Sequence, residues 1–482
     1  MVTGSTSLPN RYRFLTMIDF QHPKYKENKD KWKLIHDICA AKDLKEYLVK
    51  INSTDNSVHA KNRRDQFFKR SVFYSIAGYT AQGFLGKAFS EPAKCEVPEN
   101  LDYIKYDIDG AGVSIYQQCQ EVFKDVVEVG RAGLLVDFPQ VEGDVSRQDM
   151  IDGRIAATVT RFQAEQITNW QVKKIGSRMK PVLIVLQSTD HEMHDDGFGF
   201  EEVPIYIELR LEEEGYVQRE YRKEKHSDKW FVHNEVTPVN ASGQRLDFIP
   251  FVFVGSQANT PKVDFAPMYD IAKINIGHYN NSAIYEDSVF TVGQVQPFMT
   301  GLSTDHVDEL KKAGMFIGSG TLMAVPSGES FGFAQAAPNS LAREAMMDKI
   351  QMMIGLGAMF LTPNGVAKTA TQVDGELMAQ HSILSLISAN VSDAYDQALE
   401  FVQLFMGGAE PATLYINQEF VKPNATAQDI TAMVSSFLQG ALPISDLFEW
   451  QQRHGLVDKE KSLEDYSQEL SGNADFSVLE EE

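Results

Sequence analysis

Apolar residues recur at helical spacing in three long segments of the second half of the chain. These segments span 264–289, 338–361 and 371–405. Steps of three, four and seven residues between apolar positions are typical of helices that bury one face. The third segment predicts one continuous helix, which at 1.5 Å per residue would be roughly 55 Å long.

Residues at the ends of these segments fit helix start and stop signals. Asp264 is a candidate N-cap, and Pro267 falls in the first turn that follows it. Thr371 and Asp374 have the spacing of a capping box at the start of the longest helix. Gly407 and the glycine after it are a stop signal.

The first third of the chain mixes helical patterns with one buried strand. Residues 22–49 predict a surface helix, and residues 63–92 predict a second helix. The apolar positions of that second helix are Phe67, Val72, Ile76, Tyr79 and Phe84. A further helix is predicted from Ser114 to Val129, with Gly130 as its stop, followed by a buried strand over 132–139.

Between about 154 and 256 the period changes to that of β-strands. Short apolar or alternating runs rich in β-branched and aromatic residues are separated by polar loops. The runs are RIAATVTRF, PVLIVLQS, IYIELRLE, YVQREYRKE and FIPFVFVGS. Together with the helices they predict an α+β fold.

Two shorter regions complete the pattern. Residues 290–336 predict a compact mixed segment: strand-like SVFTVGQ, helix-like STDHVDELKKAG, and strand-like TLMAVPSG and ESFGFAQ. After residue 409, the strand-like run ATLYINQEF precedes three short helical patterns, TAQDITAMVSSFLQG, ISDLFEWQQRHG and SLEDYSQEL.

A turn-forming stretch, FLTPNGVAKTATQVDGE, separates the second and third long helical segments. Pro363, Asn364 and Gly365 are residues that favour turns. Lys368 is the single basic residue of this stretch. The residues therefore predict a sharp turn between two helices that presents one positive charge.

The charge of the chain is unevenly distributed. The net charge is -22, yet residues 1–100 carry 17 Lys and Arg against 11 Asp and Glu, which leaves 28 against 56 in the remainder. Tight binding of a nucleic-acid backbone depends on Lys and Arg side chains that displace counterions. A chain with this much negative charge is therefore not expected to bind DNA tightly. It could surround DNA without holding it, or the acidity could serve solubility alone.

Other compositional features narrow the class. No apolar stretch has the length of a membrane span, and the N-terminus lacks the order of a signal peptide, which predicts a soluble chain with no membrane partner. Cys39, Cys95 and Cys119 form an odd, widely spaced set. They are expected to be small core residues in a reducing compartment rather than a disulfide framework or a metal site.

The motifs provide no catalytic constellation. DIDGAG at 107–112 resembles the start of a calcium loop, but Ala111 and Gln118 occupy positions that need oxygen ligands. The cluster HEMHDD, His191 to Asp196, lies in a polar loop without a second ligand group at a recognisable spacing. Phosphate-binding, nucleophile-elbow and HExxH motifs are lacking from the sequence, which predicts neither an enzyme nor a cofactor.

The order of these elements and several local phrases resemble the portal proteins of tailed bacteriophages and prophages. The phrases are FYSIAGYTAQGFLGKAFSEPAKCEVPE, DIDGAGVSIYQQCQEVFKDVVEVGRAGLLVDFP, AEQITNWQ and KTATQVDGELMAQHSILSLISANVSDAYDQAL. The resemblance implies a multi-part α+β subunit with a mixed wing over 1–262. It implies two stem helices, at 263–289 and 338–361, flanking a small α/β clip at 290–337. The tunnel loop would be 362–370, the long wing helix 371–408 and a short helical crown 409–482.

The resemblance also implies the function and partners. Portal proteins form a ring, typically of twelve subunits, at one capsid vertex, where it serves as the channel for genome packaging and ejection and as the head-to-tail connector. Expected partners are double-stranded DNA, the large terminase motor, the major capsid protein and scaffold, and a head-tail adaptor. The expected location is the virion, with assembly in the host cytoplasm. The residues implied to face DNA are those of the tunnel loop: Thr362, Pro363, Asn364, Gly365, Val366, Lys368 and Thr369.

Two alternatives remain open from the sequence. Another virion structural protein, such as a capsid or tail adaptor protein, would share the acidity and the lack of motifs. A hydrolase that uses acidic residues or a metal ion at His191 to Asp196 would need stoichiometric metal retention.

Overall fold

We analysed a computed structural model of the chain. It describes residues 17–51, 54–138, 155–194, 196–224, 229–293, 296–301, 304–305, 308, 330–334, 340–359, 382–408, 410–418, 420, 427–453, 456–457 and 461–476. Most strands lie between residues 131 and 255, and the described α-helices lie outside that range, which confirms the predicted α+β class.

The first helices are α1 (Pro23–Cys39), α2 (Val58–Arg70), α3 (Ile76–Ala88) and α4 (Ile115–Val129). The later helices are α5 (Tyr269–Gly293), α6 (Leu341–Met359), α7 (Ile383–Met406), α8 (Ala427–Leu438), α9 (Ile444–Arg453) and α10 (Leu463–Phe476). The strands are β1 (Lys94–Glu96), β2 (Arg131–Asp137), β3 (Thr158–Gln163), β4 (Ile167–Ile175), β5 (Arg178–Met193), β6 (Phe200–Glu212), β7 (Gly215–Lys223), β8 (Trp230–Val236), β9 (Phe251–Gly255), β10 (Gln296–Thr300), β11 (Ser330–Ala334) and β12 (Thr413–Tyr415).

The main core lies between helices α4 and α7 and a three-stranded antiparallel sheet of order β3-β2-β9. Helix α7 is buried along most of its length, and its Leu384, Ile387 and Val391 are fully enclosed. Tyr395 of α7 donates a hydrogen bond to Gln118 of α4 at 3.0 Å, and the Gln118 amide donates to the Val159 carbonyl at 2.7 Å. A polar chain inside the core therefore fixes α7 relative to α4 and the sheet.

A second sheet is a five-stranded antiparallel meander in the order β4-β5-β6-β7-β8. The three middle runs of the prediction are β5, β6 and β7 of this meander, whereas the first and last are β3 and β9 of the three-stranded sheet. The predicted β-rich region is therefore confirmed. Strands β4 and β8 were not predicted, because their solvent-facing residues are mostly charged or polar and obscure the alternation.

Helix α4 forms with the predicted boundaries and caps. Ser114 accepts a hydrogen bond from the Gln117 amide in a capping box, and Gly130 ends the helix at φ 75°. A Cβ on Gly130 would lie 2.1 Å from the Phe265 carbonyl oxygen, so only glycine fits this turn. In the preceding loop, Asp107 and Asp109 accept hydrogen bonds from the loop's own backbone amides. They form a turn, as predicted, and not a calcium loop.

The helix predicted over residues 63–92 is wrong as one continuous element. Helix α2 ends at Arg70, and Ser71 is extended at φ -63° and ψ 137°. The segment that follows lies outside both helices until α3 begins at Ile76. Val72 is consequently 53% exposed rather than part of an apolar helix face.

Three further boundaries differ from the sequence predictions. Helix α5 begins at Tyr269, because the Asp264 carboxylate accepts from the Gln257 and Ala258 amides instead of capping a helix. Residues 288–293 of the predicted strand SVFTVGQ belong to α5. Within the helix predicted from Thr371, Ser382 is extended and is the N-cap of α7, which begins at Ile383, while residues 371–381 lie outside the described residues. At 1.5 Å per residue, α7 is about 36 Å long rather than 55 Å.

Near the N-terminus, helix α1 is fixed to the core by a buried ionic cluster. His36 Nδ1 lies 2.8 Å from Glu128 Oε2, and His36 Nε2 lies 3.2 Å from Glu165 Oε1. Burial lowers the pKa of His36, but hydrogen bonds to the two carboxylates outweigh that effect and raise it to about 10. His36 is therefore an imidazolium at neutral pH.

This cluster predicts a specific pH dependence of stability. Because the folded-state pKa of His36 is raised above its ordinary 6.5, its stabilising contribution is full below pH 6.5 and is lost as pH rises toward 10. We expect His36→Gln to lower the free energy of unfolding at neutral pH, and the gap to the wild type to shrink as pH rises. Urea denaturation of both proteins across this range measures the gap, and a pH-independent gap would contradict the assignment.

Candidate functional site

The predicted stem helices form a packed pair, and the antiparallel strand pair β10–β11 lies between them in the chain. Helix α5 leads into β10, β10 pairs with β11 in antiparallel register from Gln296–Ala334 to Thr300–Ser330, and α6 follows β11. The two helices pack against each other. A Cβ on Gly277 of α5 would lie 2.9 Å from Lys349 Cε of α6, so the glycine permits close approach at this point.

One face of α5 forms hydrogen bonds to the backbone of the segment between α2 and α3. Asn275 is fully buried, its Oδ1 accepts from the Ala77 amide at 2.9 Å, and its Nδ2 donates to the Tyr74 carbonyl at 3.0 Å. Ser282 donates to the Val72 carbonyl at 2.7 Å. These side chains satisfy backbone groups that the interruption between α2 and α3 removes from helical hydrogen bonding.

The same face holds a second backbone segment, close to the end of α1. Asn280 Oδ1 accepts from the Val49 amide at 2.8 Å, and its Nδ2 donates to the Tyr47 carbonyl at 3.0 Å. Tyr279 and Ser71 share a hydroxyl hydrogen bond of 3.0 Å. We call Asn275, Tyr279, Asn280, Ser282 and Asp287 the latch face of α5.

Asp287 extends the latch face with an ionic contact. Its carboxylate pairs with the guanidinium groups of Arg63 and Arg70 of α2. The hydrogen bond from Arg63 lowers the pKa of Asp287 below its ordinary value, with Arg70 adding to the effect. Arg70 also stacks on Phe290 of α5, with its guanidinium carbon 4.4 Å from the ring centre. Helix α5 is thus tied to α2 by charge as well as by backbone hydrogen bonds.

The outer face of α6 has a polar stripe between two apolar edges. Among its described side chains, only Met353 is buried. At about 100° per residue, Glu344, Asp348, Gln351 and Gly355 fall on one line along the helix, which we call the acidic stripe.

Apolar side chains lie on both sides of the acidic stripe. Met347 and Ile354, 51% and 56% exposed, form one apolar edge. Leu341 and Met352, 68% and 57% exposed, form the other. Contiguous exposed apolar side chains of this kind are typical of surfaces that another chain covers.

The residues predicted to face DNA lie outside the described residues. These are Thr362, Pro363, Asn364, Gly365, Val366, Lys368 and Thr369. They belong to the connection between Met359, the last residue of α6, and Ser382, the N-cap of α7. The clip residues of STDHVDELKKAG and TLMAVPSG are also largely outside the described residues, while the strand predicted in ESFGFAQ is β11.

The cluster His191 to Asp196 does not form a metal centre among the described residues. His191 is exposed at the end of β5 and lies 3.9 Å from Glu202 of β6. In the described part of the chain, no group of three or more His, Cys, Asp or Glu side chains is arranged to hold a metal ion. Of the described helices, none has both the length and the hydropathy to span a bilayer.

The cysteines are consistent with small packed residues. All are free thiols; Cys119 is buried, whereas Cys39 and Cys95 are half-buried. Burial raises the pKa of Cys119 to about 12 and that of Cys95 to about 11. These thiols are therefore protonated and weakly reactive at neutral pH.

The segment from α5 to α7 is similar to a known protein family. Residues 267–406 match the family described as "Domain of unknown function (DUF4055)". That range includes α5, the strand pair β10–β11, α6 and α7. No curated protein matches the chain.

Three solved structures are similar to the chain over most of its length. A chain in the neck of an empty gene transfer agent (GTA) particle computed with C6 symmetry is 14% identical, with a TM-score of 0.39, and the match covers 81% of this chain and 92% of that chain. A chain in the virion of the native GTA particle is 12% identical, with a TM-score of 0.36, covering 76% of this chain and 84% of that chain.

The third similar structure is the neck of the native GTA particle computed with C12 symmetry. It is 12% identical, with a TM-score of 0.36, and the match covers 76% of this chain and 86% of that chain. Each of these three structures is a part of a gene transfer agent particle.

The latch face predicts a measurable loss of stability. We expect Asn275→Ala to lower the free energy of unfolding by about 1–3 kcal/mol, because it leaves the buried Ala77 amide without its partner and removes one of the hydrogen bonds to the Tyr74 carbonyl. The Ala77 amide should also exchange faster with solvent. Asn281→Ala is the matched control, since within the described residues no hydrogen bond is recorded for the Asn281 side chain. Urea denaturation and hydrogen exchange measure both effects, and equal behaviour of the two variants would contradict the latch.

Proposed function

We propose that this chain is a portal-type ring subunit of a tailed-phage particle, through which double-stranded DNA passes. The observation that carries the proposal is the outer face of α6, where the acidic stripe runs between two apolar edges. In a ring of copies with α6 toward the axis, each apolar edge packs on a neighbouring copy and the acidic stripe faces the lumen.

The two apolar edges explain why a ring is preferred to a two-fold dimer. Met347 and Ile354 lie on one edge, and Leu341 and Met352 on the other. When two different patches of each copy meet, the contact is head-to-tail, and such contacts close into a ring if the rotation between copies allows it. Twelve copies would reproduce the usual portal stoichiometry.

The acidic stripe suits passage of DNA without capture. Glu344 and Asp348 repeated around a ring give a lumen that repels phosphates, so translocating DNA is not held by the wall. A few cations would then supply weak, repeated contacts. We assign that role to Lys368 of the tunnel loop, with Thr362, Pro363, Asn364, Gly365, Val366 and Thr369 forming the turn that carries it.

The remaining regions take their roles from this arrangement. The strand pair β10–β11 lies between the two stem helices in the chain. We assign it to the clip, where the terminase and later the head-tail adaptor would dock. Residues 1–262 form the wing and outer body beside the capsid protein and scaffold. The short helices after residue 409 form the crown. The subunit would be located at the portal vertex of the virion, after assembly in the host cytoplasm.

The apolar edges predict how assembly responds to charge. We expect Ile354→Lys to weaken ring formation by at least about tenfold, because a lysine desolvated in an apolar contact costs more than about 1.4 kcal/mol. Gln351→Lys is the matched control: the same side chain is introduced on the same helix, but on the acidic stripe between the edges. Sedimentation velocity measures the assembled fraction, and equal effects of both substitutions would contradict the proposed packing.

The tunnel loop predicts a separation between assembly and packaging. We expect Lys368→Ala to leave ring formation intact, since the apolar edges are unchanged, but to alter packaging efficiency or retention of DNA. The measurements are ring yield of the purified variant and packaged genome length in particles. Unchanged packaging and genome length would remove Lys368 from the mechanism.

A further inference from the structure

A cationic cavity lies beside the latch face, away from α6. It is open to solvent, has a volume of about 400 Å³, and is lined by helix α2 and the segment between α1 and α2. Four basic side chains surround it: Lys45, Lys50, Lys61 and Arg64. Asp65 is the acidic residue among those that line it.

The positive charge of the cavity is only partly compensated. Lys45 pairs with Asp65 at 3.3 Å, and Arg64 donates to the Asp55 carbonyl at 2.8 Å. For Lys50 and Lys61, no ion pair is found within the described residues. This concentration of cations lies in the first 100 residues, which carry 17 Lys and Arg against 11 Asp and Glu in a chain whose net charge is -22.

The floor of the cavity is apolar and belongs to a small hydrophobic cluster that is separate from the main core. Leu48 and Phe67, which line the cavity, are buried in one cluster with Tyr279 and Ala283 of α5. Phe68 lines the same cavity and lies under the Lys45 ammonium group, 5.5 Å from its ring centre. A ligand that fits must therefore combine negative charge with an apolar group.

We propose that this cavity docks a short acidic peptide segment carrying a bulky apolar side chain, supplied by another protein of the particle. The apolar side chain occupies the floor, and carboxylates on either side of it pair with Lys50 and Lys61. Duplex DNA fits less well, because its phosphates lie on a convex rod and offer nothing to an apolar floor. This site does not depend on the ring or on the role of α6.

The docked peptide would also contact the segment that the latch face holds. Val49 lines the cavity, and its amide is bound by Asn280 of α5. Because a ligand that binds only the folded state stabilises it by mass action, docking should protect this segment and α5 from local opening. Docking of a partner would thus reduce local opening of α5, the first stem helix.

The test uses the full chain and a fluorescein-labelled peptide, Asp-Glu-Phe-Glu-Asp, with binding followed by fluorescence polarisation. We expect saturable binding that Lys50→Glu with Lys61→Glu weakens at least tenfold and that protects the Val49 amide from hydrogen exchange. Replacing Phe by Gly in the peptide should weaken binding similarly. Lys173→Glu with Lys174→Glu, exposed charges on β4, is the matched control and should leave binding unchanged.

Several outcomes would overturn the proposal. They are an absence of saturable binding, an equal loss in the Lys173 and Lys174 control, or equal affinity for the Gly peptide. Equal competition by inorganic phosphate or by a duplex oligonucleotide would show general anion attraction instead of peptide docking. If the double glutamate variant fails to fold by circular dichroism, Lys50→Gln with Lys61→Gln replaces it under the same criteria. None of these outcomes bears on ring formation, which is measured separately.

Discussion

The arrangement of this protein depends on hydrogen bonds between one face of a helix and a backbone that has left helical geometry. Between Arg70 and Ile76 the chain is not helical, yet it passes close to the core. Asn275 and Ser282 of α5 supply partners for its backbone groups, and Asp287 pairs with Arg63 and Arg70. An unpaired backbone group at such a place would cost about 1–3 kcal/mol. Helix α5 precedes the strand pair β10–β11 in the chain and packs on α6. The contacts that hold α5 against α2 and α3 therefore also position β10–β11 and α6.

The latch face and the outer face of α6 have opposite properties, and this contrast underlies the proposed function. Polar groups on the latch face are paired with groups of the same chain. The apolar edges of α6 remain exposed in a single chain. Covering them with neighbouring copies would bury apolar surface at about 25 cal/mol per Å² and would leave the acidic stripe as the lining of a pore. A subunit whose polar contacts are made within the chain on one side, and whose apolar side chains are exposed on the other, is suited to ring assembly.

Much of the fold could be predicted from periodicity, because helices and strands that bury one face show it locally. Helix α4 and its caps, the strand after it, most strands of the meander and the helices of the last region were identified in this way. The break at Ser71, the start of α5 at Tyr269 and the cap at Ser382 were missed. After the break at Ser71, partners distant in sequence hold the backbone: Asn275 binds groups about 200 residues away, and no local pattern shows that contact. At Tyr269 the reason is local, since Asp264 accepts from amides six and seven residues earlier instead of capping the helix. The latch face had no recognisable sequence pattern, because its partners are also distant in sequence. The DNA-facing role of Lys368 was drawn from resemblance and stays a prediction.

The central claim is that copies of this chain close into a ring with α6 toward the axis. Electron microscopy of the purified protein tests it most directly, through class averages viewed along the symmetry axis. The account predicts closed rings of fixed copy number with a central pore, and reconstructions in which the acidic stripe lines that pore. Particles that stay monomeric or dimeric at high protein concentration, or rings whose pore is lined by another element, would contradict it.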